Sequence, residues 1–544
     1  MKRRKLSLLL CIVMVFVLMT SVSALANDDR CTIMAVGKNA TVDGSAIVSY
    51  NCDCTDCDFR MFIIPAMDWP EGSIRDIISW GHYNDRMYDF SNKWNIDFSD
   101  IKVGEMPEAP HTYRYIHTID SNINEKGLLI GESTCGIDSS TEYGKEVKRV
   151  LQTESKGIID YDFAMDIVLE RCSTPREAVR VLGDLIETYG WIPESGECFN
   201  ITDGKEVWIF EVYGLDLWAA FKLPDDEFFV CANRHRIRDI DLDDSENVMH
   251  SPNLVSFAVE QGWYNPDSGE PFRPADIYSP NDRLSSTRRE WRALDLVAPS
   301  LGLSPHETVY PQTVKPGREL SVHDIFKISG DYYQGTEYDL SKGPQAGPYG
   351  NPLRASNVGE GAYERGINDA STVMVFIGQA KEWLPDPIKS IAWYGIGAAD
   401  STYITPISPI MKELPKPYMV GNKFGVFDRD SLGWINIYVQ ELAQRHYCEA
   451  IKDIYSLRDP KLEMLYEIVP LVQEHAAEVY KTDPEAAANI LHQFYYSNAL
   501  SWYQQWKDLG DMLLSKYAFG RINLERCGYP EWWNELIDYK PLVR

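Results

Sequence analysis

Two short apolar runs, Cys31–Val36 and Ala46–Tyr50, are separated by a segment that carries the dipeptide Asp43-Gly44, and this strand–turn–strand pattern constrains the fold more than any other stretch. Asp-Gly readily supplies the positive φ that a tight antiparallel hairpin needs, so the two runs pair as neighbours without a helical crossover. The pattern recurs at Cys198–Thr202, Asp203-Gly204 and Val207–Val212. Further strands are predicted at Phe59–Pro65, Gly127–Gly131, Phe228–Ala232, Thr372–Ile377 and Ser390–Tyr394. Helical spacing is predicted at Phe163–Arg171, Pro175–Tyr189 and Ser286–Leu296, and it dominates from about Trp434 onward. Asp483-Pro484 marks one helix start, with Asp as the cap and Pro in the first turn. Ile240–Asp282 and Gly330–Gly366 are predicted to be long loops of the kind that border sites. Strands that arrive in hairpins, without βαβαβ alternation, give an α+β layered fold.

The chain opens on Lys2-Arg3-Arg4-Lys5, an uncharged run from Leu6 to Met19 and the small-residue triplet Ala24-Leu25-Ala26. This pattern is a secretory signal peptide over residues 1–26, its apolar run being shorter than the roughly 20 residues that a bilayer span requires. The expectation is an exported protein, secreted or held in the cell envelope, with no stable membrane span once the leader is cut. The formal net charge of −28 leaves no basic face for nucleic acid and so excludes that class of partner. Self-association is left open. A length of 544 residues with 44% hydrophobic content is ample for one large core with an attached subdomain. Export permits disulfides but a chain of this size does not need them. Cys52, Cys54 and Cys57 form a C-x-C-x-x-C cluster. Lacking a second cluster or a histidine at ligand spacing, it reads as disulfide or buried thiols rather than as a metal site, and no cofactor is expected.

The usual hydrolase motifs are missing from the sequence: there is no G-x-S-x-G elbow, no H-E-x-x-H helix, no P-loop and no C-G-S-C-W. Cys31 offers another route. It follows the predicted cleavage point by four residues, Asn27 to Arg30, and opens the first strand. Removal of that tetrapeptide would give Cys31 a free α-amine beside its thiol. With an amine pKa near ~7.7–8 and a thiol pKa near ~8.5, one residue can then act as both base and nucleophile. From position alone, a buried or disulfide-bonded strand cysteine competes with this reading.

The stretch Cys31-Thr32-Ile33-Met34-Ala35-Val36-Gly37-Lys38, then Asp43-Gly44-Ser45, then Asn51-Cys52-Asp53, resembles the start of the dipeptidase and secernin family of N-terminal-nucleophile hydrolases. Asn124-Glu125-Lys126-Gly127-Leu128, Phe199-Asn200-Ile201, Glu206-Val207-Trp208, Ala232-Asn233-Arg234, Arg289-Glu290-Trp291-Arg292 and Trp506-Lys507-Asp508-Leu509 carry the resemblance through nearly all of the chain. It implies a four-layer αββα sandwich of two antiparallel sheets between helices, with Cys31 at the start of a central strand. By the same resemblance Cys31 forms a thioester acyl-enzyme and its amine shuttles the proton. Asp53 corresponds to an acidic residue that holds the amine or thiol, with a turn-capping Asp as the competing reading. Asn233 corresponds to an oxyanion donor, against a turn Asn, and Arg289 to an active-site arginine, against a solvated helix arginine. Tyr50 stands where related acylases have an arginine, and Thr134 where they carry a second oxyanion asparagine. His235, within Arg234-His235-Arg236, is either a contact for a substrate carboxylate or part of a solvated basic loop.

These readings predict a leader over residues 1–26, a short propeptide over 27–30, a catalytic domain over 31–433 and a helical region over 434–544 packed on it. The expected activity is hydrolysis of dipeptides and other small peptides. A penicillin- or bile-salt-type acylase on the same fold, and an inactive binding protein, are the alternatives.

Overall fold

A computed structural model describes residues 31–54, 57–78, 102–118, 120–193, 195–354, 364–421 and 426–539. The predicted leader and propeptide lie outside these residues. Among those described, no helix is long and apolar enough to cross a membrane.

The first hairpin forms as its turn dictates: β1 (Thr32–Val36) pairs antiparallel with β2 (Ala46–Asp53), Thr32 opposite Asn51 and Val36 opposite Ile47, while Gly44 takes a φ of 77°. Every residue of both strands is buried, as befits strands covered on two faces. There follow β3 (Phe62–Ile64), β4 (Tyr115–His117), β5 (Ile123–Asn124), β6 (Leu129–Cys135), β7 (Gly196–Thr202), β8 (Val207–Gly214), β9 (Leu217–Lys222), β10 (Phe228–Cys231), β11 (Val248–His250), β12 (Thr372–Ala380), β13 (Ser390–Gly395) and β14 (Thr405–Ile407). Among the described residues they make a six-stranded sheet in the order β10-β1-β2-β12-β13-β14 and an eight-stranded sheet in the order β11-β9-β8-β7-β6-β5-β4-β3, every pair antiparallel.

The two sheets meet through β1, β2 and β12 on one side and β6 and β7 on the other. Asn200 on β7 ties them together, its Nδ2 donating to the carbonyls of Met34, 2.8 Å, and Ser49, 3.0 Å. Opposite it, Gly131 on β6 lies so close that a Cβ there would sit 2.7 Å from Asn200 Oδ1 and 3.1 Å from Tyr50 Cβ. Gly131→Ala is therefore expected to destabilise the fold by about 1–3 kcal/mol, read as a lowered unfolding midpoint. An unchanged midpoint would mean that the sheets can separate at no cost.

Helices α1 (Tyr161–Arg171) and α2 (Pro175–Tyr189) cover strands of the eight-stranded sheet, enclosing an apolar layer that includes Ile167, Leu182, Phe199, Trp208 and Phe210. The bounds of α2 match the sequence reading because Thr174 and Glu177 form a capping box, Pro175 fills the first turn and Gly190 ends it at a φ of 70°. Helix α3 (Leu284–Val297) touches β10, and α4 (Val322–Ser329) touches β2 and β12. A helical C-terminal region follows, with α5 (Leu432–Ala443), α6 (Tyr447–Tyr480) and α7 (Pro484–Tyr517), the last capped by Asp483 accepting from the Ala486 N–H. It is fastened to the sandwich by Trp502 stacking on Tyr403 at 4.4 Å and by Arg458 donating to the carbonyls of Ala399, Asp400 and Thr402.

Two expectations need correction. Phe59–Pro65 yields a strand only over Phe62–Ile64, because Arg60 folds back onto Asp58 and the Met61 N–H is taken by the Tyr418 carbonyl. The predicted loop Ile240–Asp282 contains the strand Val248–His250 and the helices Leu254–Glu260 and Pro274–Tyr278, each too short to impose a readable period.

Candidate active site

Cys31 immediately precedes β1 and is buried between the sheets, 2% exposed. The hairpin register places Cys52 across from it, and strand alternation puts Tyr50 on the same face as Cys52. The Cys31 Sγ lies 3.6 Å from the Tyr50 hydroxyl and 3.6 Å from Glu132 Oε1, and the Cys52 thiol also bonds it. Tyr50 in turn donates to Asp120 Oδ2 at 2.8 Å. Burial holds the Cys31 thiol well above the usual cysteine range, and the bond to Cys52 and the charge of Glu132 act in the same direction. Among the described residues no histidine is hydrogen-bonded to this thiol. The sulfur is thus not a resting thiolate, and attack requires a base to remove its proton in the event.

Arg289, on α3, gathers the backbone around Cys31. Its Nη1 donates to the Cys31 carbonyl at 2.7 Å and to Thr32 Oγ1 at 2.9 Å. Its Nη2 donates to Asn233 Oδ1 at 2.8 Å and to the Ala232 carbonyl at 3.3 Å, and its Nε donates to the Ser285 carbonyl at 2.5 Å. The planar fork of a guanidinium suits this divergent set of acceptors, where an ammonium would reach only part of it. The solvated reading of Arg289 is thereby overturned, since it is 1% exposed. Its neighbours are buried as well, Arg288 over the Tyr338 ring at 3.6 Å and Arg292 in a bidentate pair with Asp331 at 2.9 Å.

Asn233 adopts a left-handed φ of 60°, directly after β10, and its N–H donates to Ser133 Oγ at 3.1 Å. Its side-chain Nδ2 donates to the Thr134 carbonyl at 2.8 Å. Arg289 bonding to the amide oxygen polarises Asn233 and strengthens its N–H groups as donors. The structure therefore joins Cys31, Arg289, Asn233 and the backbone of Thr134 in one connected group.

Asp53 and His235 stand apart from that group. Asp53 lies on the opposite pleat of β2 from Cys52, where its carboxylate is held by the Arg365 guanidinium and by the Thr372 hydroxyl at 2.5 Å. Burial raises its pKa to about 6 although Arg365 pulls it down. Its charge reaches Cys31 through space. His235 is buried rather than on a solvated loop, with Nε2 3.0 Å from the Val212 carbonyl and 3.3 Å from that of Glu197, its ring against Tyr213. Burial lowers its pKa to about 4. Flanking Arg234 and Arg236 are buried too, paired with Glu290 at 3.3 and 2.5 Å.

Three further residues at the site escaped the sequence reading: Glu132, Ser133 and Arg365. Glu132 stands two residues before Thr134 and shares its strand face, so alternation along β6 would have found it once the pairing was known. Arg365 sits in the Gly- and Pro-rich segment, which has no period to read. Among the cysteines of the C-x-C-x-x-C cluster, Cys54 and Cys57 are bonded as a disulfide and Cys52 remains a buried thiol, its pKa pushed up to about 12 by burial.

The chain is similar to known dipeptidases. The chain is 31% identical over 328 residues to a probable dipeptidase of Salmonella dublin, covering 58% of this chain and 70% of that protein. It is 28% identical over 434 residues to a probable dipeptidase of Latilactobacillus sakei, covering 77% and 81%. It is 26% identical over 478 residues to a dipeptidase of Bifidobacterium longum, covering 84% and 85%. Residues 30–459, which hold every site residue named above, match the model of peptidase family C69. The chain belongs to that family, a dipeptidase family of cysteine peptidases, and is a hydrolase acting on peptide bonds.

Proposed function

We propose that the protein is an exported dipeptidase in which Cys31, as the first residue of the mature chain, is the nucleophile. The observation that carries this reading is the Cys31 thiol itself, buried, its pKa held up by burial and bonded to no imidazole among the described residues, while Arg289 grips the carbonyl of the same residue. A thiol in that position needs a base to take its proton, and a freed α-amine on the same residue would supply one. The dipeptidase names of the relatives support the choice of substrate. The leader-like residues 1–26 support export, with residues 27–30 as the propeptide.

In this mechanism the amine accepts the thiol proton as Sγ attacks the carbonyl carbon. The carbonyl π electrons move to oxygen, and an Asn233 Nδ2 hydrogen together with the nearby Arg289 charge stabilises the oxyanion. Collapse breaks the C–N bond, the ammonium returns its proton to the leaving amine and a thioester remains. Water then attacks the thioester carbon as the amine takes its proton, the C–S bond breaks to release the carboxyl product, and the ammonium returns the proton to sulfur so that the thiol is restored. Asp53, with its Arg365 and Thr372 partners, supports the ammonium electrostatically. Thr134 and His235 act through position, Thr134 by anchoring Asn233 through its carbonyl and His235 by tying the segment after Asn233 to the carbonyls of β7 and β8. Helix contacts on both sheets support a four-layer αββα sandwich over residues 31–433, with the helical region 434–544 as its appendage.

The test is the N-terminus of the protein recovered outside the cell, by intact mass and terminal sequencing, for wild type and Cys31→Ala. A wild-type chain that starts at Cys31 is expected, and retention of residues 27–30 in the variant would mark self-processing. A wild-type chain that starts at Asn27 and still cleaves dipeptides would rule this mechanism out.

A further inference from the structure

Three buried thiols converge where the two sheets meet, next to Asn233. Cys135 closes β6 and Cys198 lies on β7, where it pairs with Ser133 across the ladder, so strand alternation sets Cys135 and Cys198 on one face as diagonal neighbours. Cys231 closes β10 in the other sheet and comes to 3.8 Å from Cys135, sulfur to sulfur, although the two are 96 positions apart in the chain. All three are fully buried. Burial opposes ionisation of Cys231, but hydrogen bonds from Cys135 and Cys198 outweigh it and hold this thiol well below the usual cysteine range, so Cys231 is the sulfur that the other two serve. The backbone around the pair is interlocked as well. The Asn233 N–H donates to Ser133 Oγ, its Nδ2 to the Thr134 carbonyl, and the Gly136 N–H to the Asn233 carbonyl at 3.4 Å. These bonds join chain from different sheets, which no ladder connects.

We propose that Cys135 and Cys231 are oxidised to a disulfide in the exported protein, a covalent link between the two sheets beside Asn233. The assignment rests on the reading of residues 1–26 as an export leader, because an oxidising compartment holds the disulfide that serves as oxidant. The sulfurs of a disulfide lie about 2.05 Å apart, so the pair closes by a shift of roughly 1.8 Å shared between two side chains. As the chain folds, the Cys231 thiolate attacks one sulfur of an external disulfide, whose S–S bond breaks to release one thiolate. Cys135 then gives up its proton and attacks the Cys231 sulfur of the mixed disulfide, expelling the second thiolate. Two protein thiols are oxidised, one external disulfide is reduced to two thiols, and the protons of Cys135 and Cys231 end on them. The link closes a loop of 96 positions, long enough to restrict the unfolded chain strongly. It also fastens the left-handed turn at Asn233 to the end of β6.

In the experiment, wild-type protein recovered outside the cell is alkylated in denaturant without reductant, digested and mapped by mass. A linked Cys135–Cys231 peptide is expected, with Cys198 alkylated. Alkylation of both Cys135 and Cys231 overturns the assignment, and so does a link between Cys198 and Cys231. Failure of the export reading looks different, since no protein would be found outside the cell. The purified chain refolded with glutathione disulfide is then mapped in the same way, and the same peptides decide. Stability gives a second measure. A reductant should lower the unfolding midpoint of wild type by roughly 3–6 °C more than that of Cys135→Ala, because the Cys54–Cys57 link left in the variant closes only a short loop. Equal shifts in the two proteins overturn the assignment, and the mapping of wild type stands even where the variant does not fold.

Discussion

Cys31→Ala should lower kcat/KM for alanyl-alanine by a factor of ~10⁴ or more while leaving the protein folded. The prediction separates chemistry from stability because the substitution removes little else. The side chain is small, its sulfur makes long contacts of 3.6 Å, and loss of one buried sulfur costs roughly 1–2 kcal/mol in a domain of this size. The unfolding midpoint should therefore shift only slightly. Cys31→Ser is the stricter variant, because it keeps the shape and the hydrogen bonds but replaces a thiol by a hydroxyl that is far harder to deprotonate. With an amine as the only base, serine should fall nearly as far as alanine. Alkylation gives an independent check: Cys448 is exposed, and its modification alone should leave activity intact, whereas modification of Cys31 should end it. Substantial turnover by Cys31→Ala would move the nucleophile elsewhere in the chain.

What the sequence made legible was whatever its own neighbourhood decides. The first hairpin follows from Asp43-Gly44, and α2 follows from Thr174, Pro175, Glu177 and Gly190, all within one turn of the ends they define. Residue roles that depend on distant partners were not legible. Arg234, His235 and Arg236 read as a basic surface loop, yet Glu290 pairs with both arginines from more than fifty positions away and carbonyls of β7 and β8 receive the imidazole. For the same reason the residues alone left Arg289 open to a solvated reading beside the active-site one, since its acceptors lie at Cys31, just before β1, and just past β10. Resemblance to a known family named Cys31, Asn233 and Arg289, which the structure brings together. It said nothing of Glu132, whose place beside the sulfur depends on how the two sheets pack. Asp53 shows the limit from the other side: its chemical type was legible, but its engagement with Arg365 needed a segment that has no pattern of its own.

Arg289→Lys should lower kcat/KM by a factor of ~10²–10³, even though the charge is kept. Three guanidinium nitrogens serve five acceptors that diverge in space: the carbonyls of Cys31, Ala232 and Ser285, Thr32 Oγ1 and Asn233 Oδ1. A lysine ammonium has three donors on a flexible stem and cannot span them, so either the Cys31 carbonyl or the Asn233 amide is released. Loss of the first frees the nucleophile to rotate, and loss of the second weakens the oxyanion donor. Unmatched buried acceptors should also cost about 2–4 kcal/mol of stability, so activity must be measured well below the lowered unfolding midpoint. Arg288→Lys is the control, because Arg288 packs on Tyr338 and pairs with Glu364 at 3.1 Å rather than touching Cys31 or Asn233. A purely structural role for Arg289 predicts that both lysine variants, compared while fully folded, retain similar turnover. A role in holding the nucleophile and the oxyanion donor predicts that only Arg289→Lys loses kcat, and that Arg289→Met falls further because the charge near the oxyanion is gone as well.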